Sequence, residues 1–310
     1  MKYQSKFILY GILFSLLGLI SFLSSYFLDY YLEISDGVAY SKAYERISDL
    51  DIIDGYENFI VYTGGAEPLS FLIFYLFSKL TSIEVFNAIL NTVLLFVIFK
   101  FLYNQRIKLF IFIPFVITNY YFLILEFTTL RLKIAVIFWI LSLMAKTKGK
   151  SNLYYLFAFL SHFQTALILF IRLLVQMIIK KNFKINLNYV VFFLIIVTFL
   201  FEKILGKFLW YFNTEMYFPM KTILFFIPMI FVVNRLKFLS ITFIVFFTLG
   251  IFIGEERLLI LLFFLMISEY ILHAKRDFVR GSVLVIYCFY FSLKGIEFAI
   301  SLIEKVPYFL

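Results

Sequence analysis

Cysteine and histidine are nearly missing from this sequence. One Cys (Cys288) and two His (His162, His273) exclude a disulfide framework, and a multi-His or Cys metal centre is not expected. Charge is scarce as well: 15% of the 310 residues are charged, against about 25% in a soluble domain. Only 5 Pro occur, and no Gly/Ser tract or block of like charge interrupts the chain. Nothing therefore reads as a linker, a tail or a soluble module, and a single membrane-embedded domain over 1–310 is expected. Also missing are G-x-S-x-G, the Walker A sequence and H-E-x-x-H. Two matching halves with broken helices, the pointer to an inverted-repeat transporter, are not visible either.

Apolar and aromatic residues fill the space. The chain is 64% hydrophobic and 22% aromatic, with 45 Phe and 22 Tyr. That excess has no place in a soluble fold and must face lipid, so an all-α, polytopic membrane bundle is predicted. The first apolar run, 7–28, is about the length a helix needs to cross the hydrocarbon core. Lys2 and Lys6 precede it and no small-x-small cleavage site follows, so a retained span with the N-terminus inside is expected. Further runs lie near 69–80, 83–103, 109–126, 128–145, 152–162, 163–179, 188–201, 219–234, 238–253, 258–273 and 281–293. Several are shorter than a full span and must be tilted, re-entrant or shielded by neighbours.

The net charge of +9 does not point to nucleic acid, because Lys and Arg are scattered between apolar runs and form no basic face. It sets orientation instead. Clusters at Arg106/Lys108, Lys146/Lys148/Lys150, Lys180/Lys181/Lys184, Arg235/Lys237 and Lys275/Arg276/Arg280 are expected on the cytoplasmic side. Regions 29–66, 126–131, 202–218 and 254–257 then fall outside, and most of the acidic residues with them. Consistency makes 152–179 a hairpin turning near His162 and makes 69–80 a segment that dips in without crossing. The resulting expectation is about eleven spans, with the N-terminus inside and the C-terminus outside.

Region 29–66 is the one substantial hydrophilic stretch. Tyr40, Tyr44 and Ile47 recur at helical spacing, which predicts a short amphipathic helix on the outer surface. A T-G-G turn follows, then Glu67-Pro68, with Pro68 suited to the first turn of a helix and Glu67 to its positive end.

Ionisable groups at the edges of apolar runs are costly, and each is a candidate for function. Asp36 can activate or position a sugar hydroxyl, or simply cap a helix beside Gly37. Glu67 can share that work or only complement a helix dipole. Arg131, in T-T-L-R-L-K-I-A, offers the planar fork that grips phosphate oxygens; alternatively it snorkels or pairs with nearby Glu126. His162, in F-L-S-H-F-Q-T-A, can move a proton or bond a phosphate or sugar oxygen, or be an ordinary hydrogen-bonded group of a bundle. Glu255, Glu256 and Arg257 form a compact cluster at a hairpin tip that can complete a site with Asp36 and Arg131, or be a solvated turn.

In this order, these residues resemble the EpsG-like family of bacterial polysaccharide polymerases, related in role to the Wzy-type O-antigen polymerases. The matching pieces are D-G-V-A-Y-S-K-A-Y (Asp36, Tyr40, Tyr44), E-P-L at Glu67, R-L-K-I-A at Arg131, L-S-H-F-Q-T-A at His162, E-R-L-L at Glu256–Arg257, and the C-terminal V-P-Y-F. Leu132 stands where the family has Gln, and Phe163-Gln164-Thr165 where it has a small-residue pair. The resemblance implies a fold like that of membrane glycosyltransferases using lipid-linked sugars. It implies a polymerase at the outer face of the bacterial cytoplasmic membrane, acting on undecaprenyl-diphosphate-linked oligosaccharide, with membrane lipid and a chain-length regulator as partners and no cofactor. Asp36, Glu67 and His162 would be catalytic; Tyr40, Arg131, Glu255, Glu256 and Arg257 would bind diphosphate and sugar. A flippase for lipid-linked sugars, a related membrane transferase and an O-antigen ligase are the rival expectations.

Overall fold

The computed structural model describes residues 36–105, 118–165, 220–232, 236–253, 255–273 and 278–304, with isolated helical positions at Leu16, Leu19, Leu23, Ile168 and Ile171. Most of the run 7–28, the runs 188–201 and 202–218, and the clusters at Arg106/Lys108 and Lys180/Lys181/Lys184 lie outside the described residues. So do most of 163–179 and the C-terminal V-P-Y-F. Every regular element among the described residues is an α-helix. In chain order these are α1 (Asp36–Ser48), α2 (Ile52–Thr63), α3 (Pro68–Ser78), α4 (Ile83–Asn104), α5 (Tyr120–Phe127), α6 (Leu130–Met144) and α7 (Lys148–Ser161). They continue with α8 (Met220–Val232), α9 (Leu236–Ile253), α10 (Glu255–His273) and α11 (Phe278–Glu304). The chain divides into two compact units, Met1–Phe163 with Cys288–Leu310, and Gln164–Tyr287.

Helix α4, with 22 residues, is long and apolar enough to cross a membrane. Two bent pairs reach that standard only when each is taken as one span: α2 with α3, bent by 110°, and α5 with α6, bent by 118°. The described residues thus hold one such helix, or up to three. The eleven residues of α3 extend about 16 Å, roughly half the hydrocarbon thickness.

In the first unit the sequence explains the elements locally. In α1, Tyr40, Ala43, Tyr44 and Ile47 occupy i, i+3, i+4 and i+7, and all four are buried. The stripe does not lie against an outer surface as the sequence suggested. It is covered by protein: Tyr44 stacks on Phe86 of α4 (5.4 Å between ring centroids), and Phe74 of α3 meets Tyr40 at 5.9 Å. Phe74 also packs edge-on against Phe59 and Phe86, so a single fully buried ring joins α1, α2, α3 and α4. The Tyr44 hydroxyl bonds the Thr81 carbonyl at 3.2 Å; burial pushes its pKa up, while the Thr81 hydroxyl contact opposes the shift.

The hydrophilic stretch also contains a second helix that the spacing did not predict. Asp51 opens α2, its carboxylate accepting from the amides of Ile53 and Asp54 at 2.9 Å each. Gly64 closes α2 at φ +60°, donating its N–H to Ile60 O, which fits the expected T-G-G turn. Apolar Ile53 and Val61 are exposed on this helix.

Helix α6 runs through the middle of the unit. All residues from Leu130 to Ile137 are buried, the mark of a helix covered on every side. It packs against α4, α5 and α7. The α5–α6 break falls at Thr128-Thr129, whose hydroxyls both bond Ile124 O. Since α7 is joined to α6 by a short turn at 145–147, the start of α6 and the end of α7 meet at one end of the pair, with Lys146, Lys148 and Lys150 at the other.

In the second unit α8, α9 and α10 pack together. Leu258 to Met266 of α10 is buried almost without a gap, and Phe225, Phe263 and Tyr287 form an aromatic group, with Phe225 edge-on to Tyr287 at 5.3 Å.

Candidate functional site

The loop between α2 and α3 brings a carboxylate to the start of α6. Tyr56 donates its hydroxyl to Ala66 O at 2.7 Å, fixing residues 64–67, and Pro68 starts α3. Glu67 occupies the N-cap position, yet its side chain makes no capping bond. It turns inward, 2% exposed, and its Oε2 lies 2.5 Å from Nη1 of Arg131. Arg131, 6% exposed, uses its other nitrogens on two more elements. Nε donates to the Tyr40 hydroxyl on α1 at 3.1 Å, and Nη2 to Thr63 O at the end of α2, also at 3.1 Å. The guanidinium carbon stands 5.6 Å from the Tyr40 ring centroid.

His162 completes the group. It caps α7 in extended conformation, and its Nδ1 lies 3.4 Å from Glu67 Oε1. A bond from the Ser70 hydroxyl to Ser161 O, 2.7 Å long, ties α3 to the end of α7 and brings the histidine there. Gly65 supplies the space: a Cβ at that position would fall on the Arg131 guanidinium and the Glu67 carboxylate.

Four of the predicted site residues, Tyr40, Glu67, Arg131 and His162, are therefore in one buried cluster built from five segments of the first unit. Arg131 takes Glu67 as its ion-pair partner, not the sequence neighbour Glu126. Asp36 is the first residue of α1, one turn before Tyr40, and its side chain lies outside the described residues. The side chains of Glu255, Glu256 and Arg257 lie outside them too; their backbone starts α10 in the other unit.

A second polar cluster escaped the sequence reading. Lys133, with no exposed surface, donates to Asn87 Oδ1 and Asn91 Oδ1 on α4 and to Glu126 O at 2.8 Å. Asn87 Nδ2 also reaches Glu126 O at 3.4 Å. The signal was there: a lysine inside an apolar run, and two asparagines four apart in the apolar run 83–103. Among the described residues, no three His, Cys, Asp or Glu side chains are grouped to hold a metal ion.

Chemically, the first cluster sets an arginine fork, a carboxylate, an imidazole and a phenol within one small volume. A guanidinium so placed can take a phosphate oxygen in exchange for its carboxylate partner, and the released carboxylate and the imidazole are both proton acceptors. No family model, curated protein or solved structure matches this chain.

Proposed function

We propose that this chain is a polymerase of the bacterial cytoplasmic membrane, a glycosyltransferase that joins undecaprenyl-diphosphate-linked oligosaccharide repeat units at the outer face. The observation that carries the reading is the buried Tyr40–Glu67–Arg131–His162 cluster, which lies at the end of α6 and α7 remote from the lysines of their connecting turn. By the positive-inside rule that end is external. In this reading the bundle is polytopic, with its N-terminus inside and C-terminus outside, and a chain-length regulator is a candidate partner.

The reaction follows from the chemistry of the donor. A hydroxyl of the incoming lipid-linked unit attacks the anomeric carbon of the growing chain. The new C–O bond forms as the bond to the diphosphate oxygen breaks, and the leaving diphosphate takes that electron pair. Arg131 takes up its charge, the diphosphate replacing Glu67 as the Arg131 partner. Glu67 or Asp36 orients the hydroxyl and accepts its proton, and His162 passes the proton on. Tyr40 holds the guanidinium in place. The activated donor carries its own leaving group, so this scheme calls on no nucleotide or metal.

The test is made in cells. Arg131→Ala is expected to cut polymer formation by about 10²–10³-fold, the usual loss when a transition-state donor is removed. Glu67→Gln and Asp36→Asn should likewise leave single-unit glycolipid on the outer leaflet when compared at equal protein level. Polymer of normal chain length in Arg131→Ala and Glu67→Gln would overturn the proposal. Repeat units stranded on the cytoplasmic leaflet would overturn it too, in favour of a lipid-linked-sugar flippase.

A further inference from the structure

Arg131 and Lys133 stand two residues apart at the start of α6, about 200° apart around the helix axis. The first turn of α6 is thereby held from opposite sides. On one side the guanidinium reaches Tyr40, Thr63 O and Glu67. On the other the ammonium reaches Asn87 and Asn91, one turn apart on α4, and the carbonyl of Glu126 near the end of α5. All three acceptors of Lys133 are neutral oxygens; the buried Glu126 carboxylate attracts the ammonium without accepting a bond from it. An apolar side chain of similar length would fill the same volume at less cost. What it would not do is fix direction. Three hydrogen bonds from one nitrogen to two other helices allow a single rotation and height for the first turn of α6, next to the 118° break.

We propose that Lys133 is a positioning residue: its ammonium, seated on Asn87, Asn91 and the Glu126 carbonyl, sets the register of α6 and through it the place where the Arg131 guanidinium meets its ligand. A misplacement of about 1 Å in such a clamp is enough to cost roughly 100-fold in rate. The consequence for ligand binding rests on the reading of the Arg131 cluster as a diphosphate site; the positional claim does not.

The experiment uses the full chain in lipid nanodiscs, labelled with 15N-arginine, and inorganic pyrophosphate as probe. The Arg131 Nε–H signal is assigned by its disappearance in Arg131→Lys. In Lys133→Met/Asn87→Leu/Asn91→Leu, which repacks the cluster with apolar side chains and leaves Glu126 without its Lys133 and Asn87 partners, the unfolding temperature should fall only modestly. The Arg131 signal should nevertheless move, and pyrophosphate affinity should fall at least ten-fold, with no further loss on adding Arg131→Ala. Asn91→Ala, which leaves Lys133 two acceptors, should shift the same signal in the same direction by less, and it decides the matter if the triple variant does not fold. An unmoved Arg131 signal overturns the proposal. If the parent protein does not bind pyrophosphate, the diphosphate-site reading fails on its own, and the signal still decides whether Lys133 positions Arg131.

Discussion

At the scale of single residues, the deciding interaction is the exchange of Glu67 from helix cap to ion-pair partner. A carboxylate at the N-terminus of α3 could gain only about 0.3–1 kcal/mol from the helix dipole at an exposed site. Buried beside Arg131 it takes part in a pair whose rupture commonly costs about 3–5 kcal/mol, because one charge is left without its partner. Glu67→Leu and Arg131→Met should therefore each lower the thermal unfolding temperature markedly. The double variant should recover most of the loss, while polymer formation stays absent in all three. A double variant no more stable than the singles would mean that the pair contributes nothing beyond its separate contacts. Gly65 is the steric counterpart. Gly65→Ala pushes a methyl group onto both charged side chains, and a loss of about 1–3 kcal/mol is expected in a denaturation series.

At the scale of elements, α1 and α2 show how much a local pattern can tell. The i, i+3, i+4, i+7 spacing of Tyr40, Ala43, Tyr44 and Ile47 predicts a helix with an apolar stripe, and that helix is present. What the stripe faces was not readable, because lipid and a neighbouring phenylalanine cluster ask for the same side chains. The second helix buries only Gly55 and Phe59 and leaves Ile53 and Val61 exposed, so its apolar residues mark no single face; the Asp51 cap was the available signal. Phe74 makes the difference measurable. Phe74→Ala should cost about 3–5 kcal/mol, since the ring is fully buried against four others. Asp51→Ala, which removes two bonds at the exposed start of one helix, should cost about 1 kcal/mol. Unfolding followed by urea or heat separates the two, and equal losses would contradict the burial of the α1 stripe against Phe74.

At the scale of the whole molecule, orientation is the property to test. Cys288 is buried, so the natural chain is a quiet background for labelling introduced cysteines. Glu57 on α2 and Lys150 on α7 are both exposed. In intact spheroplasts a membrane-impermeant maleimide should label Glu57→Cys, and should label Lys150→Cys only after permeabilisation. Both positions labelling from the same side would remove the proposed topology and the external location of the Arg131 cluster with it.

Composition alone determined that the chain is helical and apolar enough to offer membrane-crossing segments, because a long run of Phe, Leu and Ile with few charges has few other stable arrangements. The sequence also picked out Tyr40, Glu67, Arg131 and His162, since an ionisable or polar group beside an apolar run is costly wherever it ends up. Only the tertiary structure decided who meets whom. Arg131 had Glu126 five residues away and took Glu67, 64 residues away, because the α5–α6 break turns the guanidinium toward α1 and the α2–α3 loop. Lys133 found two of its three acceptors on α4 for the same reason: partner choice depends on how helices pack in three dimensions, which periodicity along the sequence does not encode.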